Sequence, residues 1–178
     1  MRIDRRVALA SVAIVLLTVV IAVLGLRLYL GREAEGRLAP EEIIDFAARA
    51  SIDRTNVFAM CPPGYCTPPG DMTSPVFAMA WERLFDYWRE VIAGQPGVKR
   101  VAWDAQRRRA TYIQRSPVFH FPDIVTVEFV PLGEASSSLA IDSRARYGRG
   151  DHGVNRHRVI DWVTALQAMM QHDRQPAE

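Results

Sequence analysis

The first hydrophobic feature of the chain is a run of twenty residues, Val7 to Leu26, with no charge; only Ser11 and Thr18 bring side-chain hydroxyls. At 1.5 Å per residue a helix of that length spans roughly 30 Å, the thickness of a hydrocarbon core. Arg27 has a stem long enough to reach headgroups, and Tyr29 suits the interface. Further on, Trp81, Leu84, Phe85, Trp88, Val91 and Ile92 recur at i, i+3, i+4 and i+7, with Glu82, Arg83, Asp86, Arg89 and Glu90 between them. That period predicts an amphipathic helix over 78–93, its tryptophans in the core, ended by Gly94 and Pro96-Gly97. Period-2 alternation then predicts four strands: Val98 to Trp103, Ala110 to Arg115, Ile124 to Val130 and Ser137 to Ser143. Val125, Val127 and Phe129 oppose Thr126 and Glu128, and Leu139 and Ile141 share a face. A last helix is predicted from Val154 to Met170, with Val159, Trp162, Val163, Leu166 and Met170 as its apolar stripe.

The segments between are polar or broken. Gly31 to Leu38 reads as a linker, and Pro40-Glu41-Glu42 opens a short helix to about Ala50. Residues 54–75, with Pro62-Pro63-Gly64 and Pro68-Pro69-Gly70, read as a loop. The expected architecture is α+β: a four-stranded antiparallel sheet covered on one face by two helices, preceded by one transmembrane helix. The expected divisions are an anchor at 1–30, a linker and short helix at 31–53, the α+β domain at 54–172 and a frayed tail at 173–178.

The apolar run admits a rival reading as a signal peptide, since Arg2, Arg5 and Arg6 precede it. It is longer than the usual 7–15 residues of such a segment, and no small-x-small site follows. The expectation is therefore an uncleaved single-pass anchor through residues 7–26, with the lipid bilayer as its partner. Three arginines precede the span and three follow it (Arg27, Arg32, Arg37), a tie that the free amino terminus tips toward N-inside. The domain then lies outside the cytoplasm, with the inner membrane of the cell envelope as its site. Cys61 and Cys66 agree with that placement, because two close cysteines in an oxidising compartment read as a structural disulfide. Free thiols, or a redox or metal role, are the other readings of this pair. The C-x4-C spacing is not that of thiol oxidoreductases, and no histidine stands near enough to complete a metal site.

Charge alters the picture only after the anchor is removed. The chain has 22 Lys+Arg and 20 Asp+Glu; Arg2, Arg5, Arg6, Arg27 and Asp4 precede residue 31, leaving 18 basic and 19 acidic groups. A near-neutral domain lacks the broad positive surface of nonspecific nucleic-acid binding, so no nucleic-acid partner is expected.

Residues 143–158 concentrate the candidate chemistry. Arg144, Arg146, Arg149, Arg156 and Arg158 surround Asp151 and Asn155, and Gly148, Gly150 and Gly153 lead into the last helix. Arginine forks beside free helix N–H groups suit a phosphate or carboxylate. The same stretch also reads as plain architecture, with Asp151 capping the helix or pairing with Arg144 or Arg146, and Asn155 tying the turn to the sheet.

The run Ser143-Arg144 … Gly150-Asp151-His152-Gly153-Val154-Asn155-Arg156-His157-Arg158 resembles the signature of the domain-of-unknown-function family 1499. Phe119-His120-Phe121-Pro122-Asp123 before a strand, and the Asn56 loop with its cysteines, resemble it too; the likeness covers roughly residues 54–168. Gly150 stands where members often carry serine, and His152 where they often carry leucine. The resemblance implies a small domain associated with the envelope or membrane. It supplies no reaction, so no catalytic residue is carried over.

No nucleophile elbow, H-E-x-x-H, Walker loop or paired-carboxylate motif is present, and no cofactor is expected. The function expected is a non-enzymatic, membrane-tethered binding or accessory module. Its site would be Arg144, Arg146, Arg149, Asp151, Asn155, Arg156 and Arg158, its partner an anionic envelope ligand or an envelope protein. The alternative is a hydrolase or transferase using Asp151 with His152 or His157, with His120 as a further basic side chain.

Overall fold

A computed structural model describes residues 5–33, 44–49, 56–118, 120–148 and 150–174. Helix α1 (Arg5–Glu33) contains the apolar run. Its segment Arg5–Tyr29, 25 residues that include an 18-residue stretch of mean hydropathy 3.1, is long and apolar enough to cross a membrane. In the expected short helix, Phe46–Ala48 forms one 3-10 turn capped by the Asp45 carboxylate, and Arg49 is already extended. The rest of that expectation, and the linker after Glu33, lie outside the described residues.

The domain is built on a mixed sheet. Its strands are β1 (Val57–Cys61), β2 (Met72–Thr73), β3 (Val76–Phe77), β4 (Val98–Asp104), β5 (Arg109–Arg115), β6 (Pro122–Gly133) and β7 (Ser136–Ala145). They lie in the order β2-β1-β7-β6-β5-β4, with β3 also paired to β7. The four expected strands are β4 to β7, an antiparallel meander in which each pairs with the next. The expected four-stranded antiparallel sheet is corrected to seven strands, since residues 54–75 are not all loop. β1 pairs antiparallel with β7, and β2 runs parallel to β1 through Met60↔Met72 and Cys61↔Thr73. β1 carries no alternation because it is apolar on both sides, and β2 and β3 are two-residue strands that exist only through their partners.

Helices α2 (Trp81–Ala93) and α3 (Val154–His172) cover one face, as their periodicity predicts. Phe58, Val125, Val127, Phe129, Leu139 and Ile141 meet Leu84, Trp88, Val159, Trp162 and Leu166 there. Trp88 stands edge-to-face with Trp162 at 5.9 Å and with Phe129 at 6.3 Å. Trp81, the other tryptophan of α2, is half-buried with the Arg108 guanidinium over its ring.

The opposite face is also covered. Ile44 and Phe46 pack with Tyr65, Val130, Ala140 and the two cysteines, which form a disulfide with Cα atoms 6.1 Å apart. Backbone bonds Arg49 N–H to Thr67 O (2.7 Å) and Thr67 N–H to Phe46 O (2.9 Å) join the 44–49 segment to the disulfide loop. Beneath them lie side chains that alternation would assign to solvent. Arg109 donates through Nε to Glu128 at 2.7 Å, and also to the Ile44 carbonyl, while Tyr65 donates its hydroxyl to Glu128. Asp142 accepts from Arg49 at 3.1 Å and faces Arg144 Nε at 3.4 Å. Burial pushes the Asp142 carboxyl up, opposed by Arg144 and Arg49, and burial beside Glu128 pushes the Tyr65 hydroxyl up as well.

Candidate functional site at the glycine-rich end of the domain

The strand registers bring the candidate residues to one end of the sheet. β5 ends at Arg115, β6 begins at Pro122 opposite it, and Asp123 pairs with Ala145 near the end of β7. Val57 pairs with Arg144, so β1 begins at the same end. Two connections therefore lie side by side: Ser116 to Phe121 between β5 and β6, and Arg146 to Gly153 between β7 and α3. Positive φ at Gly148 (96°) and Gly153 (82°) lets the second one turn into α3, a backbone shape that glycine adopts without steric cost. His120 and His152 also have positive φ, at 58° and 51°.

Under these connections a hydrogen-bonded network replaces apolar packing. Asn155 is fully buried and Arg158 is 8% exposed. The Arg158 guanidinium donates to Ser143 Oγ at 2.8 Å and also to Asn155, Gln114 and Asp123. Ser143 Oγ donates to Asn155 Oδ1 at 2.8 Å, and Asn155 Nδ2 donates to the Asn56 carbonyl at 2.9 Å. Asn56 in turn donates through Nδ2 to Gly148 O at 3.0 Å. The network thus ties β1, β5, β6, β7, the glycine-rich turn and α3 together. Burial pushes the Asp123 carboxyl up, and the facing Arg158 opposes it. A planar cation with five N–H donors suits such a hub, where a lysine would be a single point charge.

Asp151 closes the N-terminus of α3. Its Oδ2 accepts from Asn155 N–H at 2.8 Å, and its Oδ1 from Gly153 N–H at 3.1 Å. Partial desolvation raises its carboxyl, but the hydrogen bonds from Asn155 and Gly153 outweigh that, and the net direction is down. His157 Nδ1 bonds to the Gly153 carbonyl at 2.8 Å. Among the described residues, neither His152 nor His157 forms a hydrogen bond to Asp151. His120 Nε2 instead meets Arg27 Nη2 of α1 at 2.5 Å.

The seven candidates therefore separate. Asn155 and Arg158 sit in the network, Arg144 is buried against Asp142, and Asp151 caps α3. Arg146 is half-buried, and Arg156 is exposed on the first turn of α3. Arg149 lies outside the described residues. Sequence reasoning missed Gln114, the network role of Asp123, and the paired charges Arg49, Arg109, Glu128 and Asp142. The visible trace of Arg109, Glu128 and Asp142 is the placement of polar residues at alternating positions of β5, β6 and β7, which an exposed face explains equally well.

A family model described as "Protein of unknown function (DUF1499)" matches residues 67–166, more than half of the 178-residue chain. The chain belongs to the DUF1499 family. The DUF1499 match runs from the disulfide loop into α3, so it contains the Ser143–Asp123–Arg158–Asn155 network and leaves α1 and β1 outside it. No curated protein matches the chain.

Proposed function

We propose that this DUF1499 chain is a single-pass membrane protein whose α+β domain is a non-enzymatic binding or accessory module outside the cytoplasm. The observation that carries the reading is α1, an apolar helix of membrane-spanning length on a domain whose signature residues are spent on architecture. The Cys61–Cys66 disulfide supports an oxidising compartment. Both Asp151 oxygens accept from backbone N–H groups and His157 bonds the Gly153 carbonyl rather than Asp151, which favours binding over hydrolysis or group transfer. The ligand class is anionic, a lipid or glycan acid or an acidic partner, met by Arg156 and Arg146 at the mouth of the glycine-rich turn. A C-terminal reporter active only outside the cytoplasm tests the compartment, with thiol labelling of Cys61 and Cys66 alongside. An active reporter with thiols masked until reduction is expected; an inactive reporter with freely labelled thiols overturns the reading.

A further inference from the structure

We infer that the glycine-rich end of the domain rests on the surface of the same bilayer that α1 crosses, placing Val118, Phe121, Tyr147 and Val154 at headgroup depth. The inference depends on the reading of α1 as an anchor and adds a second, peripheral contact to it.

Three observations converge. Val118 is 59% exposed, Phe121 38%, Tyr147 44% and Val154 50%, and all four lie on the two connections or the first residue of α3. The other large exposed apolar side chains described in the domain, Met72, Val76, Val101, Trp103 and Leu132, are divided between the two sheet edges and the hairpin at the far end. Second, α1 reaches this end: Arg27, the first charge after the apolar run, meets His120 of the β5–β6 connection. A charge at that position marks the edge of the hydrocarbon, so His120 and its neighbours sit at the level of the headgroups. Third, the charge is of the sign that anionic lipid attracts. The β5–β6 connection carries no acidic residue, the single acid of the β7–α3 connection is Asp151 with both oxygens turned to backbone N–H, and Arg156 is exposed beside it. Aromatic and aliphatic side chains beside arginine make an interfacial surface.

The network below then acquires a purpose beyond stability. Arg158, Asn155 and Ser143 hold the two connections at one level, so that both meet a plane together. They are positioning residues, and none touches lipid.

The test uses the full chain in nanodiscs, with a nitroxide coupled to a keto-bearing amino acid in place of Val118 or, as a control at the far end, Leu132, so that the disulfide is untouched. Oxygen partitions into lipid and a nickel chelate into water. At 118 the oxygen-to-nickel accessibility ratio is expected to rise several-fold above that at 132. Equal ratios with free nickel access overturn the docking, and shielding of 118 from both probes assigns the surface to a protein contact instead, which also overturns it. Failure of the chain to co-elute with nanodiscs removes the anchor itself, a result distinct from an incorporated chain with an undocked end. In discs containing phosphatidylglycerol, Arg156→Gln is expected to shift the docked-to-undocked ratio about fivefold, and in phosphatidylcholine discs not at all. No shift in either lipid overturns the anionic part of the contact.

Discussion

The two faces of the sheet are buried by different chemistry. Against α2 and α3 the strands present Val125, Val127, Phe129, Leu139 and Ile141, all at 0% exposure, and the contacts are dispersion and edge-to-face aromatic packing. On the other face the same strands present Thr126, Glu128 and Asp142, with Arg109 and Arg144 beside them, none above 7% exposed. One face is held by nonspecific burial, which tolerates many apolar shapes. The other depends on each charge meeting its partner, because an unpaired buried ion is strongly unfavourable. The helix face therefore supplies bulk stability, and the opposite face specifies where residues 44–49 and the disulfide loop settle.

Emptying the helix face should have the largest effect. Trp88→Ala should lower unfolding free energy by about 4 kcal/mol, read by urea denaturation, since it removes a fully buried indole from the core. On the charged face, Glu128→Leu alone should cost about 3 kcal/mol by stranding Arg109, whereas Glu128→Leu with Arg109→Met should recover most of it. A double variant as unstable as the single one would mean that this face, too, is held by shape.

Smaller effects separate the covering loop from the sheet. Cys61→Ala with Cys66→Ala should cost about 2 kcal/mol, and reductant should lower the melting temperature of the parent but not of this variant. Asp151→Ala should cost about 1 kcal/mol through loss of the α3 cap. The sign of its pH dependence follows from a folded-state pKa held below the unfolded one. The Asp151 contribution is complete above the ordinary carboxylate pKa and is lost as pH falls through the depressed value. The stability gap between parent and Asp151→Ala should accordingly close on acidification, and a gap constant down to about pH 2 would refute the capping role.

The elements differ in how visible they were. α2, α3 and the β4–β7 meander announce themselves because their periods match the faces they bury. β1 did not, since Val57-Phe58-Ala59-Met60-Cys61 lies between broken segments and a strand that is apolar on both faces has no period. Asp151 as a cap and Asn155 as a tie were legible from their place before and within a helix entry. Arg158 was visible as an arginine, but its commitment to Gln114, Ser143 and Asp123 was not.

By itself the sequence determines that an apolar helix of spanning length precedes an α+β domain, which helical faces turn inward, and which end of the domain gathers glycine and arginine. These follow from local period and composition, which act over a few residues. Long-range packing is what closes the second face and turns Arg144 and Arg158 into the protein while Arg156 stays outside. Arg109 finds the Ile44 carbonyl 65 residues away, and Asn155 finds Asn56 O 99 residues away. Whether a polar side chain is solvated or paired depends on such distant partners, and no local pattern encodes them.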